Sequence, residues 1–340
     1  MINKINTSLY GFAYAEPDLF LTSDEIETTL APVYDRLKLP YGRIEMQTGI
    51  HSRGVFVNKM PSCISTKAAK KLFEKSSIKE SEIDLLIHAS VCRDFLEPST
   101  ASVVHDNLGL NDGCLSFDLS NACLGVVSAI ITASKMIEAK SIRYALIVSG
   151  ENAKPLIDKT IHTLLESSDL TRKSIKKYFA NFTIGSAGVA LIIGPKDEVL
   201  PQIHTGVSLS DTHAHTLCQG DGSSDGLVME TDSEALKIAG VKLAKRTWTQ
   251  FQETSMKKNI DHYICHQVGI HHRNYLYETL GLDLDKDHTS FDKYGNTGSA
   301  ALPLTLARAV EDNCFKKNDE IALLGIGSGL HSQMLGVTWK

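Results

Sequence analysis

Apolar runs of strand length recur along the chain: IDLLIHASV (83–91), YALIVSG (144–150), FTIGSAGVALIIG (182–194), IDHYICHQV (260–268), IALLGIGSG (321–329) and LHSQMLGVTW (330–339). Runs of this kind predict strands covered on both faces. Amphipathic helical stretches precede two of them, TKAAKKLFEKS before 83–91 and KLAKRTWTQFQETS before 260–268. A Leu-Gly-Leu stop at 108–110 and again at 280–282 puts a glycine where a helix C-cap needs one. Then SFDLSNACLGVVSAI (116–130) is echoed by SFDKYGNTGSAALPL (290–304), and both predict a strand, a tight turn and a helix that opens on small residues. The pattern is a degenerate duplication, with two βαβ-rich halves packing as one layered α/β unit. The halves divide as 1–195 and 196–340, with the seam at Pro195–Pro201. The first half carries an amphipathic, basic insertion at 151–181, read either as a surface excursion or as a cap over a substrate tunnel.

Composition narrows the function. With 340 residues, 42% hydrophobic content and a net charge of -5, the chain can bury a large core and lacks the basic excess of a general nucleic-acid binder. No basic start followed by an apolar run marks a signal peptide, and no run is long enough to span a membrane. Seven cysteines without regular spacing or a C-x-x-C pair argue against a disulfide framework or a zinc site, so reduced thiols and a cytoplasmic setting are expected.

One thiol stands out. Cys123 falls where the strand at 115–119 turns into the helix at 124–138, so the unpaired N–H groups of the helix start are expected to favour its thiolate. Ser120, Ala122 and Gly125 leave room for a substrate. A buried packing cysteine is the alternative, and for a lone cysteine it is the commoner one. His266 ends the second-half strand, beside an open sheet edge suited to a site. Asn296 lies at the turn that the duplication matches to the cysteine turn, where a plain turn asparagine is the competing reading. Gly327, Ser328 and Gly329 lie in a glycine loop with no following helix, which suits backbone donors facing an oxyanion better than a dinucleotide site. His213-x-His215 and His271-His272 lack ligand partners at metal spacing and are assigned to surface or loop roles.

Taken together, Thr48-Gly49-Ile50, Ala122-Cys123, His266-Gln267, Gly295-Asn296-Thr297 and the terminal glycine loop resemble the β-ketoacyl-ACP synthase III group of the thiolase superfamily, over nearly the whole chain. The resemblance implies the thiolase fold, two βαβαβαββ halves forming an αβαβα layered sandwich. It implies a Cys-His-Asn triad on Cys123, His266 and Asn296, and an oxyanion hole from the N–H groups of Cys123 and the 327–329 loop. An acyl thioester would load onto Cys123, and a second thioester would then attack the acyl carbon to give a β-ketoacyl product. No metal or redox cofactor is implied, acyl-CoA or acyl-ACP being the substrate. A homodimer is expected, with an acyl carrier protein as a possible partner.

Departures from the group bear on substrate. Arg43 and Gln47 stand where its members usually carry Trp and Arg for the CoA adenine. Arg53, Lys237 and Arg273 complete the expected substrate-binding set. Glu97, in CRDFLEPS (92–99), replaces an apolar pocket residue. Together with GRIEMQTGI (42–50) and SGEN (149–152), it is similar to the subgroup of olefin-pathway enzymes that join two acyl-CoA molecules head to head. In that subgroup this glutamate reaches across the dimer as the base. A solvated glutamate paired with Arg93 is the plainer reading. Decarboxylative condensation with malonyl-ACP, acyl transfer to oxygen or nitrogen, a cysteine hydrolase and a non-catalytic partner subunit are the competing functions.

Overall fold

The structure is a computed structural model that describes residues 2–223, 226–254, 259–266 and 268–340. Nine strands form the main sheet: β1 (Ile2–Ala15), β2 (Leu85–His88), β3 (Leu115–Asp118), β4 (Ala145–Glu151), β5 (Ala187–Pro195), β6 (Gln202–Ser210), β7 (His262–Cys265), β8 (Glu320–Gly327) and β9 (His331–Thr338). Their order is β7-β8-β9-β6-β1-β5-β4-β2-β3. The order is nearly symmetric about the antiparallel β1–β6 pair. On each side an antiparallel strand (β5 or β9) is followed by a parallel pair, β4 with β2 or β8 with β7.

The helices α1 (Pro61–Lys75), α2 (Thr100–Leu108), α3 (Gly125–Glu138), α5 (Ser233–Thr254), α6 (Ile270–Leu280) and α7 (Ala301–Glu311) cover this sheet, and α4 (Lys154–Glu166) packs away from it. Strand side chains alternate between two cores. Leu85 and Ile87 of β2, with Ile321 and Leu323 of β8, enter a central core with Val126 and Ile130 of α3 and Leu302 and Leu306 of α7. Leu86 faces the other way, onto Ile64, Leu72 and Val104 of α1 and α2. Ala322 and Leu324 face Val241, Trp248 and Leu276 of α5 and α6. The two halves of this one sheet thus lie on either side of α3 and α7, with α1 and α2 outside one half and α5 and α6 outside the other, which gives the layer order of the αβαβα sandwich. Among the described residues no helix is long and apolar enough to cross a membrane.

Both Leu-Gly-Leu stops are helix ends, with Gly109 at φ +61° and Gly281 at φ +66°. The insertion helix α4 builds a further core, in which Ile157, Leu164 and Phe182 pack on Ile26, Leu30, Tyr34 and Ile44. One expected element is different. The Ser290-Phe-Asp segment forms a one-turn helix, Phe291–Tyr294, instead of a strand, so the second half of the sheet ends at β7.

Candidate active site

Cys123 sits two residues before α3, after Ala122, whose φ is +45°. The turn is tight because α3 starts close to its neighbours. A methyl group on Gly125 would lie 3.2 Å from the Ala89 carbonyl and 3.3 Å from Cβ of Ser299. Ser299 belongs to the turn after Asn296, so the two duplicated turns meet here. Gly327 closes the site from a third direction, since a Cβ there would come within 3.5 Å of the Cys123 amide nitrogen. The backbone of the glycine loop at Gly327 therefore runs close to the Cys123 backbone and the Leu124 side chain.

His266 follows β7 and is buried, its N–H donating to the Leu324 carbonyl at 2.8 Å. Its Nδ1 has no partner among the described residues. Gln267, the other half of that expected pair, lies outside them. Asn296 is also buried. Its backbone is locked to the 183–185 segment: its N–H donates to Thr183 at 2.7 Å, and its carbonyl accepts from Gly185 at 2.8 Å. Its Oδ1 accepts from the Gly298 N–H at 3.2 Å, which leaves the side-chain NH2 as the donor.

The charge state of the cysteine differs from the sequence expectation. Burial, the nearby Glu151 carboxylate and Cys218 push the Cys123 thiol up to about 12, outweighing any pull from the start of α3. Burial, together with His272, holds the His266 imidazole down at about 3. Both shifts favour the neutral forms, a thiol at Cys123 and an imidazole at His266. His272 corrects a second expectation. Expected in a surface or loop role, it lies on α6 within electrostatic reach of His266, and burial lowers it to about 4.

The expected substrate-binding residues divide. Arg53 is fully buried, donating to the Leu21 carbonyl at 3.1 Å and to Ser23 Oγ at 2.8 Å, so it is a structural arginine and not a ligand contact. Arg273 is engaged by the buried Asp287 carboxylate. Lys237 pairs with Glu234 at 2.9 Å. Arg43 lies over the Phe179 ring at 4.4 Å, with its Nε 3.5 Å from Gln47 Oε1. The helix that carries both (Arg43–Thr48) ends against Gly269 and Ile270, just beyond His266. Glu97 is exposed, on a loop anchored by the Asp94 carboxylate, which accepts from the Ser62 N–H at 2.8 Å.

This geometry joins what is similar in known proteins. Residues 117–206 match the 3-oxoacyl-[acyl-carrier-protein] synthase III model, and residues 252–339 match the model of its C-terminal part. Residues 51–159 match the model for FAE1/type III polyketide synthase-like proteins. An acyl-CoA:acyl-CoA alkyltransferase of Xanthomonas campestris is 37% identical, covering 98% of this chain and 99% of its own. The chain belongs to the 3-oxoacyl-ACP synthase III family. It is thus a thiolase-superfamily condensing enzyme, an acyltransferase. A second acyl-CoA:acyl-CoA alkyltransferase, from Shewanella oneidensis, is 33% identical over 97% of both chains. The cerulenin-bound crystal structure of OleA from Xanthomonas campestris superposes with a TM-score of 0.94 at 36% identity, covering 100% of this chain and 98% of that one.

Within the family frame, Glu151 is a neighbour of Cys123 that sequence reasoning placed only within the SGEN motif. Its signal was available: a carboxylate at the end of ALIVSGE, a strand buried along its whole length.

Proposed function

We propose that this enzyme condenses two fatty acyl-CoA molecules head to head, without decarboxylation. The single observation that carries the reading is the full-length similarity to two acyl-CoA:acyl-CoA alkyltransferases, joined to a glutamate at position 97. Cys123 sulfur attacks the first acyl carbonyl, its proton passes to His266, and CoA leaves as the thiol after taking that proton. The N–H groups of Cys123 and Gly327–Gly329 stabilise the tetrahedral oxyanion. Glu97 of a second subunit then removes an α-proton from the second acyl-CoA. The enolate oxygen accepts hydrogen bonds from His266 and Asn296. Its carbon attacks the acyl-cysteine, forming the new C–C bond and breaking C–S, and the proton that Glu97 removed is returned to the leaving sulfur to restore the Cys123 thiol. Arg43 and Gln47 are the residues of the expected set best placed to meet CoA at the mouth.

A homodimer is part of the proposal. Val91, Phe95 and Leu96 on the Glu97 loop are exposed, Leu96 at 91%, and so is Leu115 on the edge strand β3. An open strand edge beside exposed apolar side chains supports pairing with a second copy.

The test is incubation with long-chain acyl-CoA alone and, separately, with malonyl-ACP added, followed by peptide mass spectrometry and product analysis. The expected result is an acyl adduct on Cys123 and a β-keto product from acyl-CoA alone. Glu97→Ala should keep the adduct and lose the product. Product only after malonyl-ACP is added means decarboxylative chemistry. An adduct without either product points to another acceptor. No adduct from any thioester overturns the reading.

A further inference from the structure

Glu151 ends β4 with only 4% of its surface exposed, yet it is given three backbone donors. Oε1 accepts from the Val91 N–H at 2.9 Å and from the Ser299 N–H at 3.2 Å, and Oε2 accepts from the Cys92 N–H at 3.1 Å. Donors of this number are what make a buried carboxylate tolerable. They come from two separate loops. Val91 and Cys92 open the segment that leads to Glu97, while Ser299 lies three residues after Asn296. The approach is so close that only glycine fits at 298, where φ is +56° and a Cβ would lie 3.0 Å from Oε1. A row of hydroxyls below ties the same parts again. Ser90 Oγ lies 3.0 Å from Ser149 Oγ, which lies 2.9 Å from Ser299 Oγ, and Ser299 donates to the Ala89 carbonyl.

We propose that Glu151 is a positioning residue for condensation: its carboxylate clamps the loop that leads to Glu97 to the turn that carries Asn296, beside Cys123. It rests on the roles given above to Glu97 and Asn296. First acylation needs Cys123 and the oxyanion donors, which Glu151 does not hold. The second step needs base, donors and acyl-cysteine in register, and that register is what the clamp supplies. The same negative charge also disfavours the Cys123 thiolate, which links the clamp to the nucleophile by a second, measurable route.

Glu151→Gln tests this. An amide keeps the shape but replaces one acceptor oxygen with NH2, so one loop loses its anchor. Condensation should fall at least tenfold, while the yield of acyl-Cys123 from acyl-CoA stays near wild type. Iodoacetamide alkylation of Cys123, without substrate, should reach half-ionisation at lower pH. Glu151 and Cys218 are the titratable groups whose charge raises this thiol, so a Cys218→Ala control separates them. Glu151→Asp keeps the charge but shortens the reach. It should lose condensation with an unmoved alkylation profile. Gly298→Ala, which crowds Oε1 from the other side, should reproduce the loss of condensation if Glu151→Gln does not fold. Wild-type condensation in Glu151→Gln, or acylation and condensation falling together with an unmoved profile, overturns the proposal. A wild-type enzyme that makes no condensed product instead overturns the functional reading, and the alkylation profile still judges the link from Glu151 to Cys123.

Discussion

The tripeptide Ser-Phe-Asp occurs twice, at 116–118 and 290–292, each just before a turn of the active site. In the first copy it is the edge strand β3, paired in parallel with β2. Phe117 is half-buried, and the Asp118 carboxylate accepts from the Thr100 and Ala101 N–H groups at 2.9 and 2.7 Å, holding the start of α2. In the second copy the same letters form a helical turn. Phe291 is buried, Asp292 is exposed, and the Asp292 carbonyl accepts from the His51 N–H at 2.9 Å. Local sequence does not decide between the two forms; what covers the segment does. The strand copy leads into the turn of Cys123 and leaves an open sheet edge. The helical copy gives up the edge and draws the Thr48–His51 segment against the site that holds Asn296.

The sharpest way to break this comparison is to exchange the chemistry of the two turns. Cys123→Ala should abolish both acyl adduct and product in the mass-spectrometric assay. Asn296→Ala should leave the adduct and slow condensation by roughly 10²–10³, the usual cost of one lost oxyanion donor. Equal loss of adduct in both variants would mean that the two turns are not specialised. Denaturant melts should then separate the two phenylalanines. Phe291→Ala should cost about 3–5 kcal/mol, and half-buried Phe117→Ala no more than about 2 kcal/mol. The smallest contrast is between the aspartates. Asp118→Ala should cost about 1–2 kcal/mol as a lost helix cap, and Asp292→Ala less than about 0.5 kcal/mol.

Much of this was legible in the sequence, because burial on both faces leaves an apolar run that a duplication repeats. The layers follow from those runs, and Cys123, His266 and Asn296 were found at strand ends and at a matched turn. What the letters hid was set by distant segments. Arg53 is expected to bind substrate, but the chain folds over it between Leu21 and Ser23. The thiolate expected of Cys123 is suppressed first by burial and then by a carboxylate 28 positions further along the chain, both of which only the fold brings about. His272 is expected in a surface or loop role, and its half-buried place on α6 is set by its neighbours.

The strand Ile2–Ala15 joins the two halves, since Thr7 is paired with Pro195 on one side and with Ile203 on the other. During synthesis this strand leaves the ribosome with both edges open, and neither partner exists until nearly two hundred further residues have been added. At ordinary elongation speed that interval is roughly ten to forty seconds. The strand that unites the finished enzyme is therefore the one whose backbone waits longest, and the nascent chain must be kept from pairing it with a neighbour in the meantime.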